Sequence, residues 1–136
     1  MGRSWTMTIP MRPPTVTHND LVVRRTRDGR AFVGKSDRLR AVEDSMRSRV
    51  MRQVPEVPLS GPLSARLTYC YPAGRHPQGS PMTSKPDADN LAKTTLDVVA
   101  SCGVMRDDCE VCDLRVVKAW RDPACIVVSI RELDAR

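Results

Sequence analysis

Aromatic side chains are scarce in this sequence. Among its 136 residues there are two Trp, two Tyr and one Phe. Proteins that bind single-stranded nucleic acid commonly stack the bases on aromatic side chains. We therefore do not expect base stacking to be the main mode of any nucleic-acid contact.

Long apolar runs are also lacking. No run approaches the roughly 18 residues that would span a bilayer, and residues 1–6 lack the apolar core of a signal peptide. Five cysteines are an odd number, and Cys109-x-x-Cys112 has no second pair of ligands at a spacing suited to zinc. The sequence thus predicts a cytoplasmic protein with reduced cysteines and no membrane partner.

Internal repeats and low-complexity tracts are missing as well. The length suffices for one hydrophobic core but not for two. A hydrophobic content of 40% with 28% charged residues is ordinary for a globular protein. We predict a single domain over residues 1–136.

Positive charge is in excess. Lys and Arg number 22 against 16 Asp and Glu, which gives a formal net charge of +6. This balance favours an anionic partner such as nucleic acid, although many basic proteins merely have solvated basic faces.

Four arginines surround the turn signal Asp28-Gly29, between the β-favouring residues 22–23 and 31–33. The pattern predicts a basic hairpin that contacts phosphates, or alternatively a solvated loop. The candidate DNA-binding residues are Arg24, Arg25, Arg27, Arg30, Lys35 and Lys85.

Acidic residues cluster in residues 85–93 and 105–108. In an extended chain, the carboxylates of Asp87 and Asp89 point to the same side, and Pro86 favours extended geometry. Adjacent carboxylates repel each other, and a bound Mg²⁺ or Mn²⁺ relieves that repulsion. The motif therefore indicates a divalent-metal site.

A structural alternative exists for the same residues. Asp89 stands where the N-cap of a helix over residues 90–102 is expected, and Gly103 suits the end of that helix. Asp89, Lys93 and Asp97 then form one polar stripe. Lys93 is either an ion-pair partner on this helix or a cation that stabilises charge developing on a phosphate.

Taken together, these residues resemble the RusA-like Holliday-junction resolvases, small nucleases often carried by phages and prophages. The resemblance covers residues 85 to about 118 as D-x-D-N-L-x-K, a helix with a further Asp, and an Asp-Asp pair. The matching residues are Asp87, Asp89, Asn90, Leu91, Lys93, Asp97, Asp107 and Asp108. Pro13-Pro14 and Asn19 are similar to a proline-containing loop near the N-terminus of the family.

The resemblance implies a Mg²⁺-dependent endodeoxyribonuclease that resolves Holliday junctions or other branched DNA by paired hydrolysis of phosphodiesters. Asp87, Asp89 and Asp108 would be the metal-binding catalytic carboxylates, and Lys93 the catalytic lysine. Mn²⁺ is a possible substitute for Mg²⁺. The resemblance also implies a homodimer.

Two other functions stay open. One is a non-catalytic protein of the same fold that binds branched DNA. The other is a D-x-D metal enzyme acting on nucleotide-activated substrates, although the sequence has no Gly-rich phosphate loop.

The predicted architecture is α+β, with a mixed sheet of about four or five strands and two main helices. Strands are predicted over residues 5–9, 63–71, 111–120 and 124–130, and loops over 11–20 and 72–84. A first helix is capped by Ser36 and runs to about residue 53, with Leu39, Val42, Met46 and Val50 buried. The last two strands are expected to form a hairpin, with an exposed tail over 131–136.

Overall fold

A computed structural model describes residues 2–134, and it has the predicted α+β architecture. The strands are β1 (Ser4–Ile9), β2 (Leu21–Arg25), β3 (Ala31–Lys35), β4 (Leu63–Tyr71), β5 (Ser80–Pro81), β6 (Val111–Trp120) and β7 (Cys125–Glu132). The helices are α1 (Asp37–Val50) and α2 (Ala88–Ser101). Short 3-10 turns follow at Met51–Gln53 and Asp108–Glu110. The predicted two helices and mixed sheet are therefore confirmed.

The main sheet has five strands in the order β1-β7-β4-β6-β5. β4 pairs in parallel with β6 and antiparallel with β7. The predicted hairpin between the last two strands is wrong, because β4 lies between them. A parallel pair needs a crossover connection, and α2 supplies it between β4 and β6. The turn after Trp120 therefore carries β7 past β4.

The core lies between the sheet and one face of α2. Leu63, Ala65, Leu67 and Tyr69 alternate along β4 and are buried, as the period of two predicts. They face the apolar side of α2, opposite the predicted polar stripe. Its buried residues include Leu91, Thr95, Val98, Val99 and Cys102.

Tyr69 places a polar group in this core. Its hydroxyl donates to the carbonyl oxygen of Leu91 at 3.0 Å and lies 2.6 Å from the Thr95 hydroxyl. Burial raises the pKa of Tyr69 above its ordinary value. The neutral, hydrogen-bonded phenol fixes α2 on β4.

Helix α1 begins as predicted, because the Ser36 hydroxyl accepts a hydrogen bond from the Leu39 N–H at 3.1 Å. Its buried stripe differs at one position. Val42 is only half-buried, and Glu43 is buried in its place, with 4% of its surface exposed. The carboxylate tolerates burial because Lys35 Nζ lies 2.9 Å from both of its oxygens.

The predicted hairpin around Asp28-Gly29 is present as a β2–β3 ribbon, separate from the main sheet. Gly29 occupies the left-handed region with φ 88°, which suits glycine in a tight turn. The ribbon exposes several large apolar side chains. They are Leu21, Val22, Val23, Phe32 and Val33.

The C-terminal strand extends further than predicted. β7 continues to Glu132, so residues 131–132 belong to the sheet and not to an exposed tail. The Glu132 carboxylate accepts hydrogen bonds from the N–H groups of Arg3 (2.9 Å) and Ser60 (3.0 Å). These bonds lower its pKa to about 2. Residues 135–136 of the predicted tail lie outside the described residues.

Neither α1 nor α2 is long and apolar enough to cross a membrane, and the same holds for every helix within residues 2–134. The predicted loop over residues 72–84 contains one short strand, β5, which pairs with the end of β6.

Candidate active site

The acidic turn, residues 85–89, connects the β5 region to α2. Lys118 on β6 holds it in place, because its ammonium donates to the carbonyl oxygens of Ser84 and Pro86, both at 2.7 Å. Hydrogen bonds from a charged donor are stronger than those between neutral groups. The sheet thus fixes the chain directly before the first carboxylate.

Helix α2 starts earlier than the sequence predicts. Asp87, not Asp89, is the N-cap, and Asp89 lies in the first helical turn. The prediction of an extended Asp-Ala-Asp segment is therefore wrong. Ala88 has the highest helix propensity, and a carboxylate in the first turn is stabilised by the helix dipole, so the helix includes both residues.

The N-cap side chain is not used as a cap. Asp87 makes no side-chain capping hydrogen bond, and both it and Asp89 are exposed. Their oxygens are therefore available to a cation or to solvent. The structural alternative, in which Asp89 is the N-cap, is therefore wrong, and no capping hydrogen bond engages the carboxylate of Asp87 in its place.

Lys93 connects α2 to the second acidic segment. Its ammonium lies 3.0 Å from Asp97 Oδ1 and 3.7 Å from Asp108 Oδ2. The Asp97 contact is the main reason that the pKa of Lys93 is raised. Asp108 lies in the 3-10 turn directly before β6 and faces α2 through this contact with Lys93.

Asp108 is an unusual carboxylate. Partial burial raises its pKa most, followed by the neighbouring Asp97 and Asp107 carboxyls, while Lys93 opposes them. Protonation is therefore easier here than at an ordinary aspartate. A nearby positive charge would stabilise the ionised form.

Asp107 has a different position. It is the N-cap of the 3-10 turn Asp108–Glu110, and its Oδ1 accepts a hydrogen bond from the Cys109 N–H at 3.0 Å. That bond lowers its pKa. The Asp-Asp pair thus divides into a capping residue and a residue that faces Lys93.

The structure does not bring every predicted ligand together. Over residues 2–134, no group of three Asp, Glu, His or Cys side chains is close enough to hold a metal ion. Carboxylate oxygens are the ligands that Mg²⁺ prefers, so the chemistry of Asp87, Asp89 and Asp108 suits that ion. In this conformation, however, the three carboxylates are too far apart to bind one ion together.

A cavity of about 440 Å³ adjoins the acidic turn. Its walls come from the proline-containing loop, from α1 and from the start of α2. The lining residues are Thr15, Val16, Thr17, Asn19, Asp20, Arg38, Lys85, Pro86, Asp87 and Asn90. Arg38 pairs with Asp20 at 3.1 Å, and no sequence motif indicated that it would line the same cavity as Asp87.

The loop that forms this cavity is anchored to α2 and to β4. The His18 N–H donates to the Thr94 hydroxyl at 2.8 Å, and the Tyr71 hydroxyl donates to the Pro14 carbonyl oxygen at 2.6 Å. The N-terminal loop and the acidic turn therefore share one supporting surface.

Most basic residues of the ribbon are engaged locally. Arg24 pairs with Asp37 at 3.0 Å and Arg30 with Asp28 at 2.9 Å, and Lys35 pairs with Glu43. Arg25 donates only to the Gly29 carbonyl oxygen.

The other two candidate DNA-binding residues are free of such contacts. Within the described chain, Arg27 and Lys85 are exposed, and neither takes part in a salt bridge or side-chain hydrogen bond. Lys85 lies beside Asp87 on the wall of the cavity. The structure thus groups Lys85, but not the ribbon arginines, with the acidic turn.

The chain matches the family model described as endodeoxyribonuclease RusA over residues 11–131. The match includes the proline-containing loop, the ribbon, both acidic segments and nearly all of the main sheet except β1. No curated protein matches the chain.

Proposed function

The chain belongs to the RusA endodeoxyribonuclease family, and from this membership we propose that it is a Mg²⁺-dependent enzyme that resolves branched DNA by paired cuts. The family implies nuclease activity of the Holliday-junction type. The proposal extends this to residues 1–136 as one catalytic domain. The observation that carries it is the position of Lys93 between Asp97 and Asp108.

We assign the metal, Mg²⁺ or in its place Mn²⁺, to Asp87, Asp89 and Asp108. The unused carboxylate of the N-cap and the raised pKa of Asp108 support this assignment. A bound divalent cation supplies an acidified water and neutralises charge on the phosphate. Since no three acidic side chains converge within residues 2–134, the two acidic segments must approach each other when the ion binds.

Lys93 contributes a permanent positive charge. Its raised pKa keeps it protonated at neutral pH. Without it, Asp97 and Asp108 would repel both each other and the DNA phosphate. We propose that the ammonium moves from these carboxylates toward the phosphate as negative charge develops there.

A homodimer follows from the geometry of the substrate. Resolving a four-way junction needs two cuts, and two-fold symmetry supplies two equivalent sites. The exposed apolar side chains of the ribbon, among them Val23 and Val33 at 70% and 66% exposure, support a protein contact. Light scattering should give about twice the chain mass, and a strictly monomeric active species would contradict paired cutting.

Cleavage of a labelled four-way junction tests the proposal. The wild type, Asp89→Asn and the control Asp44→Asn are compared with and without Mg²⁺, beside a linear duplex. Asp44 is an exposed carboxylate on α1 that pairs with Arg47. We expect metal-dependent paired nicks near the branch for the wild type and the control. Asp89→Asn should bind the junction without cutting it.

One observation favours a second candidate, a non-catalytic protein that binds branched DNA: the described residues hold no converged metal group. Junction binding without any cleavage in Mg²⁺ or Mn²⁺ would establish this alternative. Equal cleavage by Asp89→Asn and the wild type would instead remove Asp89 from the chemistry.

A further inference from the structure

A second cavity, here called the aromatic cavity, has a volume of about 300 Å³. Tyr71, Met82 and Trp120 form its apolar wall, and Arg12 and Lys85 lie at its margin. Thr15 and Lys85 also line the cavity beside Asp87. The two cavities are therefore neighbours that share part of their walls.

The aromatic wall is held in place by its neighbours. Trp120 and Tyr71 meet edge to face, with ring centroids 6.3 Å apart and an interplanar angle of 69°. His76 stacks on Trp120 at 4.1 Å and 2°. Trp120 lines the cavity and His76 does not, so the stacked imidazole covers part of the indole without filling the cavity.

The two cations at the margin are not engaged elsewhere. Arg12 and Lys85 are exposed, and within residues 2–134 neither forms an ion pair or a side-chain hydrogen bond. Two free cations beside an apolar ring wall fit a ligand that combines an aromatic ring with negative charge. A nucleotide has this composition, whereas an apolar peptide side chain carries no phosphate.

We propose that the aromatic cavity takes up one unpaired nucleobase from the strand that crosses the acidic turn. Trp120 and Tyr71 contact the base, while Arg12 and Lys85 contact the phosphates on either side of it. The proposal rests on the proposed function, because it is the branched substrate that supplies an unpaired base. Stacking tolerates any base, so the cavity selects the unpaired state and not a sequence.

The aromatic residues are scarce, but their placement gives base contact a larger role than the composition indicated. Only five side chains are Trp, Tyr or Phe, yet two of them meet at the margin of the candidate active site. Extruding a base costs least where pairing is already disrupted. A branch point is such a place, so the cavity contributes to discrimination between a junction and a linear duplex.

The proposal is tested by a thermodynamic cycle in which a nucleobase is removed from the DNA and the Trp120 ring is removed from the protein, singly and together. Single abasic sites are placed in turn at each nucleotide flanking the cut in a four-way junction. Affinity is measured by fluorescence anisotropy in EDTA. For the wild type, we expect one position at which removing the base weakens binding roughly tenfold. Trp120→Leu should weaken binding to the intact junction similarly, with no further loss at that abasic position.

Two results would overturn the proposal. One is an abasic penalty that is the same for Trp120→Leu and the wild type, and the other is no penalty at any position. The matched control is Trp5→Phe, because Trp5 is buried and its N–H donates to the Gln53 carbonyl oxygen. This control should retain the full abasic penalty.

A second measurement is independent of whether Trp120→Leu folds. In Trp5→Phe, Trp120 is the single tryptophan, so its emission reports on the cavity. A saturating junction should change that emission, while a saturating duplex should not. Unchanged emission on junction binding would contradict the proposal.

Cleavage by the same proteins in Mg²⁺ separates the two hypotheses. If the wild type does not cut but the abasic cycle behaves as expected, the proposed nuclease function fails and the base-binding cavity stands. If the wild type cuts and the cycle shows no coupling, the cavity assignment alone fails.

Discussion

The β2–β3 ribbon and the active-site edge both carry basic residues, but they use them differently. The active-site edge comprises the acidic turn together with Arg12, Lys93 and Asp108. On the ribbon, Arg24 and Arg30 lie within 3.0 Å of an aspartate. At the edge, Arg12 and Lys85 have no such partner among the described residues. The region with the denser arginine pattern is therefore the one in which most cations are already engaged by neighbouring groups.

The comparison shows that the number of cations in a segment is a poor measure of its capacity to bind phosphate. An exposed ion pair contributes only about 0 to 1 kcal/mol to stability, yet a phosphate must displace the carboxylate before it can use the arginine. An unpaired lysine beside a candidate site has no such competitor.

Removing one carboxylate from each region should separate them most clearly. Asp108→Asn at the edge should lower junction cleavage more than about 100-fold, which exceeds the loss expected from an outer-shell partner of a metal. Asp28→Asn on the ribbon should leave cleavage unchanged. Single-turnover cleavage in Mg²⁺ measures the rate of each variant. Equal losses of rate would show that the two regions do not differ in their contribution to cleavage.

Removing a paired cation from each region is the next test. Lys93→Met should lower the cleavage rate by about 100-fold, comparable to loss of one preorganised electrostatic contact, with little change in junction affinity. Arg30→Met removes the partner of Asp28 and should leave the rate within about twofold. A large fall in affinity for Lys93→Met would instead indicate a role in DNA binding.

Hydrogen bonds from side chains to backbone carbonyl oxygens should contribute differently to the stability of the two regions. Lys118→Met removes two bonds to carbonyl oxygens next to the acidic turn and should lower the free energy of unfolding by about 2 kcal/mol. Arg24→Met removes a bond to the Lys35 carbonyl oxygen on the exposed ribbon and should cost less than about 0.5 kcal/mol. Urea denaturation provides both values, and the reverse order would contradict the comparison.

The salt dependence of junction affinity measures how many DNA phosphates each region neutralises. The logarithm of the association constant falls linearly with the logarithm of the salt concentration. The double variant Arg12→Gln/Lys85→Gln should make this slope less steep by about 2, since each phosphate contact contributes about 0.9. Arg24→Gln/Arg30→Gln should lower it by less than about 1. Anisotropy titrations of a junction at several salt concentrations measure the slopes, and equal slopes would show that the ribbon pairs open on binding.

The smallest effect is on carboxyl titration. The Thr26 hydroxyl and Arg30 lower the pKa of Asp28, whereas partial burial and the neighbouring Asp97 and Asp107 carboxyls raise that of Asp108. Carbon-detected NMR of metal-free protein should find Asp28 titrating below, and Asp108 above, the ordinary value of about 3.9.

The two shifts have opposite consequences for stability. The contribution of Asp28 is present above the pKa of the unfolded chain and is lost as the pH falls through its lower folded pKa. The contribution of Asp108 is present below the unfolded pKa and is lost as the pH rises through its raised folded pKa. Equal titration midpoints for the two carboxyls would contradict the opposite pKa shifts expected for Asp28 and Asp108.

Local patterns predicted most elements of the fold. The alternation along residues 63–71 and the Asp28-Gly29 turn gave β4 and the ribbon, and Ser36 gave the start of α1. The order of strands was not predictable in the same way. A turn after Trp120 indicates that the chain reverses direction, but only the packing of α2 determines that β4 separates β6 from β7.

The candidate site was predicted only in its linear part. Spacing along α2 predicted that Lys93 would approach Asp97, but no pattern predicted the start of the helix at Asp87. The contact between His76 and Trp120 joins residues 44 positions apart, counted from 76 to 120. Such contacts depend on sheet topology, which a sequence period does not encode.

The position of β7 has a consequence for the order in which the protein can form during synthesis. Among the described strands, β1 is made first, and it pairs only with β7, the last of them. On the ribosome, β1 must therefore remain without its strand partner while the ribbon, both helices and β6 emerge. A nascent chain that ends near residue 124 still lacks the strand that joins β1 to β4. The sheet can close only after β7 has been translated, and a ribosome stalled before it would leave the edges of two strands open to other chains.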